Sequence, residues 1–313
     1  MLNDEFVCVA IDCSVYQQQQ DKAGEFFRKI AEQGHYAGRT KPTGTRQGEY
    51  VCTPDGELLG SINSTTAREV SGVTYQALRK WKFQYVDEKY TPVSNKFERD
   101  KRFDINPTKQ TIVLRESMRD LPRRNQQPVD SWRHNHDHVW LTESESMAFI
   151  PDELTVDAEK SIDDKIANRI ALYHLVDSVR GSSSPWKPGD LETCELKTRI
   201  SDVNDDEIRL TLSGIMKVNQ KPTGELNPFS NKRITKDRGL NLKITGRLVL
   251  DRKSNTYSRF DIIAVGDRWG ADVYNHRQND LDRAMIGFAF ELADPKSANV
   301  APVFARRGGY FEK

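Results

Sequence analysis

No apolar run in the 313 residues approaches the ~20 that cross a bilayer as a helix. Charge of one sign is also missing. Lys+Arg 47 against Asp+Glu 46 leaves a net +1, so no global field draws in nucleic acid or an anionic membrane. Cysteine is scarce. Cys8, Cys13, Cys52 and Cys194 contain no Cys-x-x-Cys, which excludes a disulfide scaffold, a zinc knuckle and a dithiol exchange pair. Gly-x-Gly-x-x-Gly, the P-loop, Gly-x-Ser-x-Gly and His-Glu-x-x-His are absent as well. The first residues, Met-Leu-Asn-Asp-Glu, carry acid where a secretory signal needs base, and this predicts a cytoplasmic protein. An apolar segment starts as early as Phe6, which leaves room for an upstream segment outside this chain.

What is present divides into two patterns, in line with a length that favours two domains. Phe6 to Ile11 is apolar and β-branched and predicts a buried strand. Asp21 to Gln33 has helical spacing through Phe26, Phe27, Ile30 and Ala31, with Gly34 as a stop. Thr53-Pro-Asp-Gly56 is a turn between two short strands, because Pro54 presets φ and Gly56 accepts a positive one. A helix follows over about 66–82. Residues 87–135 are polar and hold four prolines; one strand, Thr111 to Leu114, stands out in an irregular linker. Between Lys96 and Arg124 nine Lys/Arg meet five Asp/Glu, which reads as a solvated stretch because stacking aromatics on a sheet are missing.

From 136 onward Asp137 to Thr142 predicts a strand, Thr142 and Glu145 a capping box, and 158–179 a helix with Ile162, Ile166, Ile170 and Tyr173 in register. Period-two alternation then begins. Leu196, Thr198 and Ile200, a turn at Asn204–Asp206, and Ile208, Leu210 and Leu212 form one hairpin; 240–250 and 257–265 form another, and 286–292 a last strand. The fold class expected is α+β: domain one over 1–86, a linker over 87–135, and over 136–313 an antiparallel β-sandwich or half-barrel packed on the helix.

Two resemblances attach to these residues. The order strand, helix, hairpin, helix with the phrase "TPDGELLG" resembles the second half of a thioredoxin fold, without its first strand, its Cys-x-x-Cys helix or the proline before the hairpin. The phrases "DHVWLT", "YHLVDSVRG" and "RFDIIAVGDRWG" resemble an uncharacterised bacterial family of the planctomycete type, which joins a thioredoxin-like segment to a β-rich domain. That resemblance implies an architecture and no activity.

Three constellations could carry chemistry. His134, His136 and His138 would share one face of a strand, and three imidazoles on one face can hold zinc with an open position. The bland reading is a polar lead into a strand. His174, Asp177 and Arg180 fall at i, i+3 and i+6 on the predicted helix; with His138 they could line a pocket against the sheet, or act as a polar strut. Cys13 is the one thiol placed near a helix start, although free cysteines are commonly small buried hydrophobes. The leading functional expectation is a non-redox binding or scaffold protein for a protein or small-molecule partner, with no nucleic acid, membrane or cofactor. The alternative is an enzyme, a metal-dependent hydrolase or an oxidoreductase, using His138, His174, Asp177 and Arg180 as catalytic residues.

Overall fold

The computed structural model describes residues 2–36, 46–64, 66–85, 110–123, 134–227, 231–294, 300–305 and 310. Most of the segment read as a linker, with much of its basic stretch, lies outside these residues. The chain divides into two compact units, Met1–Asn106 with Asn299–Val303, and Pro107–Ala298 with Phe304–Lys313. The second unit thus begins at Pro107 rather than near 136.

The first unit holds short helices α1 (Leu2–Glu5) and α2 (Cys13–Tyr16), then α3 (Lys22–Gln33), strands β1 (Glu49–Cys52) and β2 (Leu58–Ile62), and α4 (Ala67–Gln84). Asp21 caps α3 by accepting from the Gly24 N–H at 2.9 Å, and Phe27, Ile30 and Ala31 form its buried stripe. The β1–β2 hairpin turns as the sequence predicts: the Glu57 amide donates to Thr53 Oγ1, and Gly56 takes φ +86°. Phe6 to Ile11 is a correction. It forms no strand, and Val7 and Val9 are exposed. β-Branched composition makes a strand only where a neighbour is free to pair, and the two described strands of this unit pair with each other.

The second unit is one antiparallel eight-stranded sheet and its helices. The strands are β3 (Gln110–Asp120), β4 (His134–Thr142), β5 (Glu159–Ser161), β6 (Leu191–Val203), β7 (Glu207–Gln220), β8 (Arg238–Asp251), β9 (Thr256–Trp269) and β10 (Ala284–Leu292), in the order β4-β3-β10-β9-β8-β7-β6-β5. Among the described residues no second sheet faces it within this unit, and its edge strands β4 and β5 do not pair with each other. The predicted alternation is strict. Leu196, Thr198 and Ile200 of β6, Ile208, Leu210 and Leu212 of β7, and Leu248 and Leu250 of β8 all point inward. Against that face packs α6 (Asp164–Tyr173) through Ile166, Ala167 and Ile170.

Helix α6 is shorter than the predicted 158–179. β5 occupies its first residues, and the ladder stops at Tyr173, with Leu175, Val176 and Val179 continuing into the core as irregular chain. The capping box of Thr142 and Glu145 is present and opens α5 (Glu143–Met147). Edge strand β4 does not offer its backbone to a further strand at Trp140. Arg169 donates to the Trp140 carbonyl at 3.2 Å, and the Trp140 N–H donates to the Tyr310 hydroxyl at 3.4 Å.

Candidate functional site

Strands β3 and β4 pair so that Glu116 lies directly opposite Asp137, and both side chains are buried. Like charges at a paired register position destabilise a sheet unless something intervenes. His174, the residue that ends α6, intervenes. Its Nδ1 lies 3.3 Å from Glu116 Oε2 and 3.4 Å from Asp137 Oδ2. Its Nε2 lies 2.7 Å from the hydroxyl of Tyr310, whose ring packs edge-on to the imidazole. His174 is 1% exposed and Tyr310 is 1% exposed, so the cluster is closed to solvent.

The electrostatics follow from enclosure. Burial pushes the Glu116 carboxyl up to about 7, against the lowering pull of His174. Burial works against an imidazolium at His174, but Tyr310 and the carboxylates of Asp137 and Glu116 reverse this and raise its pKa. Burial also pushes the Tyr310 phenol up, so Tyr310 is neutral at physiological pH and the carboxylates supply the charge that holds the imidazolium. One polar atom stands out: Glu116 Oε1 is buried and has no hydrogen-bond partner among the described residues.

A second buried network lies at the Asp120 end of β3. Arg277 is fully buried and bonds two carboxylates bidentately: Asp177 through Nε and NH2 at 2.9 and 2.8 Å, and Asp120 through NH1 and NH2 at 2.8 and 2.6 Å. Arg180 also holds Asp120, at 2.8 and 3.0 Å, and reaches Asp280 at 2.9 Å; Arg268 and Arg123 donate to Asp280 as well. Burial pushes Asp120 up, yet Arg277 and Arg180 outweigh it and hold its carboxyl below the usual range. Burial would lower Arg277, and its hydrogen bonds and charge contacts with Asp120 and Asp177 raise it instead. The guanidinium is therefore ionised, and it has no free hydrogen-bonding edge for a ligand.

The residues expected to share a pocket are thus distributed. His174 joins Glu116 and Asp137. Asp177 and Arg180, beyond the helix end, join Arg277, Asp120 and Asp280. His138 sits on the other face of β4 from Asp137, by strand alternation, and is half-buried. His134 and His136 share that outward face, as predicted for a strand, with ring centroids 5.4 Å apart. Arg115 approaches His136 Nε2 at 3.5 Å, and burial, then Arg115, lowers the pKa of His136. Among the described residues, the one group of three or more ligand atoms within 4.8 Å of one another is Glu116, Asp137 and His174.

Sequence reading missed Glu116, Tyr310 and Arg277. An acid at an inward position of an alternating strand was the available signal for Glu116, and the Thr111–Leu114 reading stopped two residues short of it. Thiol chemistry gains no support at two of the four cysteines, because burial pushes Cys52 up and Cys194 up to about 11. A cavity of about 10 Å³ in the core is lined by Leu114, Val139, Ile170 and Phe290 among others, has no polar wall, and is at the lower limit for a single water. Among the described residues no helix is long and apolar enough to cross a membrane. The chain matches no protein-family model, no curated protein and no solved structure.

Proposed function

We propose that this chain is a non-redox binding or scaffold protein with a thioredoxin-like N-terminal segment, and that His174 is a strut of its β unit rather than a catalytic base. The observation that carries this reading is the enclosure of His174. Both ring nitrogens are engaged within the protein, and the ring is shut off from any substrate. Asp177 and Arg180 are likewise committed to internal ion pairs. A platform role also fits the solvent face of the sheet. There Ile215, Ile263 and Met285 stand well exposed near a register row of Ile215, Lys243, Val265 and Gly287, a mixed surface suited to a protein partner.

The test is a comparison of wild type with His174→Gln over a panel of ester, phosphate and peptide substrates, with thermal unfolding of both. The expected result is a lower midpoint for the variant and no turnover that distinguishes the two. A turnover lost in a variant that stays folded would reject the strut. An enzyme, a metal-dependent hydrolase or oxidoreductase, remains the second reading. It is favoured by Glu116, whose carboxyl is pushed up to about 7 in the range where a general acid or base works.

A further inference from the structure

We propose that Glu116, Asp137 and His174 form a structural binding site for one divalent first-row transition ion, with zinc as the representative, held between β3, β4 and the end of α6. The Nδ1 of His174 stands 3.3 and 3.4 Å from one oxygen of each carboxylate. An ion bound tetrahedrally at about 2.0–2.1 Å by such N and O donors requires donor–donor separations of about 3.3–3.4 Å. The three donor atoms therefore need little rearrangement along the two edges that meet at Nδ1.

The second observation is independent of those contacts. Glu116 Oε1 is fully buried and has no donor among the described residues. An orphaned oxygen is a standing cost in a closed core, and a cation taken by both oxygens of the Glu116 carboxylate removes it and gains its fourth donor. Charge points the same way: two carboxylates and a neutral imidazole balance a divalent ion. The outer contact is also of the kind a ligating histidine requires. With Nδ1 turned to the ion, the Nε2–H donates to the Tyr310 hydroxyl at 2.7 Å, which fixes the tautomer and the ring plane. One imidazole with two carboxylates selects Zn, Fe or Mn over Cu(I), which prefers sulfur. The site is closed on every side, so the ion enters as the chain folds and strengthens the fold without adding a reactive position. The outward histidines are a separate group, on the opposite face of β4 from Asp137.

The test uses the full chain, unfolded with chelator and refolded with or without zinc, then desalted and measured by elemental mass spectrometry and thermal unfolding. The expected result is about one zinc per chain and a raised midpoint. Both are lost in Glu116→Gln and Asp137→Asn and both are kept in the triple variant His134→Ala, His136→Ala, His138→Ala. If either single variant fails to fold, wild type and the triple variant decide the matter. Zinc below about a tenth of an equivalent in both, with an unmoved midpoint, means the cluster holds protons only and overturns the site. Zinc lost in the triple variant assigns it to the strand's outer face and overturns the site equally. Failure here leaves the binding-protein reading standing, whereas zinc together with a turnover would overturn that reading and keep the site.

Discussion

Replacing Arg277 by Met removes the cation that joins Asp120 to Asp177 and leaves similar side-chain bulk. Asp177 loses two hydrogen bonds of 2.9 and 2.8 Å, and Asp120 loses two of 2.8 and 2.6 Å. The carboxylates stay buried, with side chains 9% and 8% exposed, so water does not replace what is lost. Asp120 keeps Arg180 at 2.8 and 3.0 Å, and its share of the damage is therefore the smaller one. Breaking one partner out of a buried pair costs about 3–5 kcal/mol. That is a large part of the ~5–15 kcal/mol that holds a domain together. For a unit of this size the thermal midpoint should fall by roughly 6–20 °C. Urea unfolding followed by tryptophan fluorescence and circular dichroism reads the change. Arg209→Ala is the control: its partner Glu207 sits on the surface, and its loss should cost under ~0.5 kcal/mol. Adding Asp177→Asn to Arg277→Met should cost less than the two single changes summed, because the stranded charge is gone. A cost for Arg277→Met below ~1 kcal/mol, or strict additivity in the double variant, would refute the claim that this network is closed and internally matched.

Other consequences are as specific. His174→Gln should cost about 2–3 kcal/mol of unfolding free energy, since it strands charge-assisted hydrogen bonds inside the core, and urea titration measures it. Asp280 is held down to about 2, because burial, which raises it, is outweighed by a hydrogen bond from Arg123 and the charges of Arg268 and Arg180. Its folded pKa lies below the unfolded value. Its contribution is therefore present above pH ~4 and is lost as pH falls through ~2, so Asp280→Asn should show a flatter stability profile over that window than wild type. Gly270→Ala should unfold at clearly lower temperature: its φ is +78°, and a Cβ there would lie 2.2 Å from the Asp237 carbonyl. Phe260→Ala should cost about 3–5 kcal/mol, because the ring is fully buried and packs edge-on to Phe149 and Tyr257.

The legible parts of the fold are those fixed by local pattern. Alternation in β6 to β9 identified both long hairpins, and their turns at Asn204 and Asn255 fall where polar residues cluster. The Thr53–Gly56 turn and the Asp21 cap are local hydrogen-bond chemistry, readable from four residues each. Phe6 to Ile11 misled because strand formation depends on a partner that composition does not reveal. The helix end misled because apolar residues continue past Tyr173 with helical spacing while the backbone has already left the helix. His174 was legible as a buried polar residue, and its partners were not. Glu116 and Tyr310 lie 58 and 136 positions away along the chain, and only the register of β3 against β4 and the return of the chain to Tyr310 bring such residues together.

The enclosure of His174 is open to test by chemical access to its ring. Native protein treated with diethyl pyrocarbonate and digested with trypsin should show His134 and His136, both exposed, modified early. The peptide carrying His174 should remain unmodified until the protein is unfolded. Modification of His174 at the rate of His134 in folded protein would contradict the account, because it would require an open pocket where the structure has a sealed carboxylate–imidazole–phenol cluster.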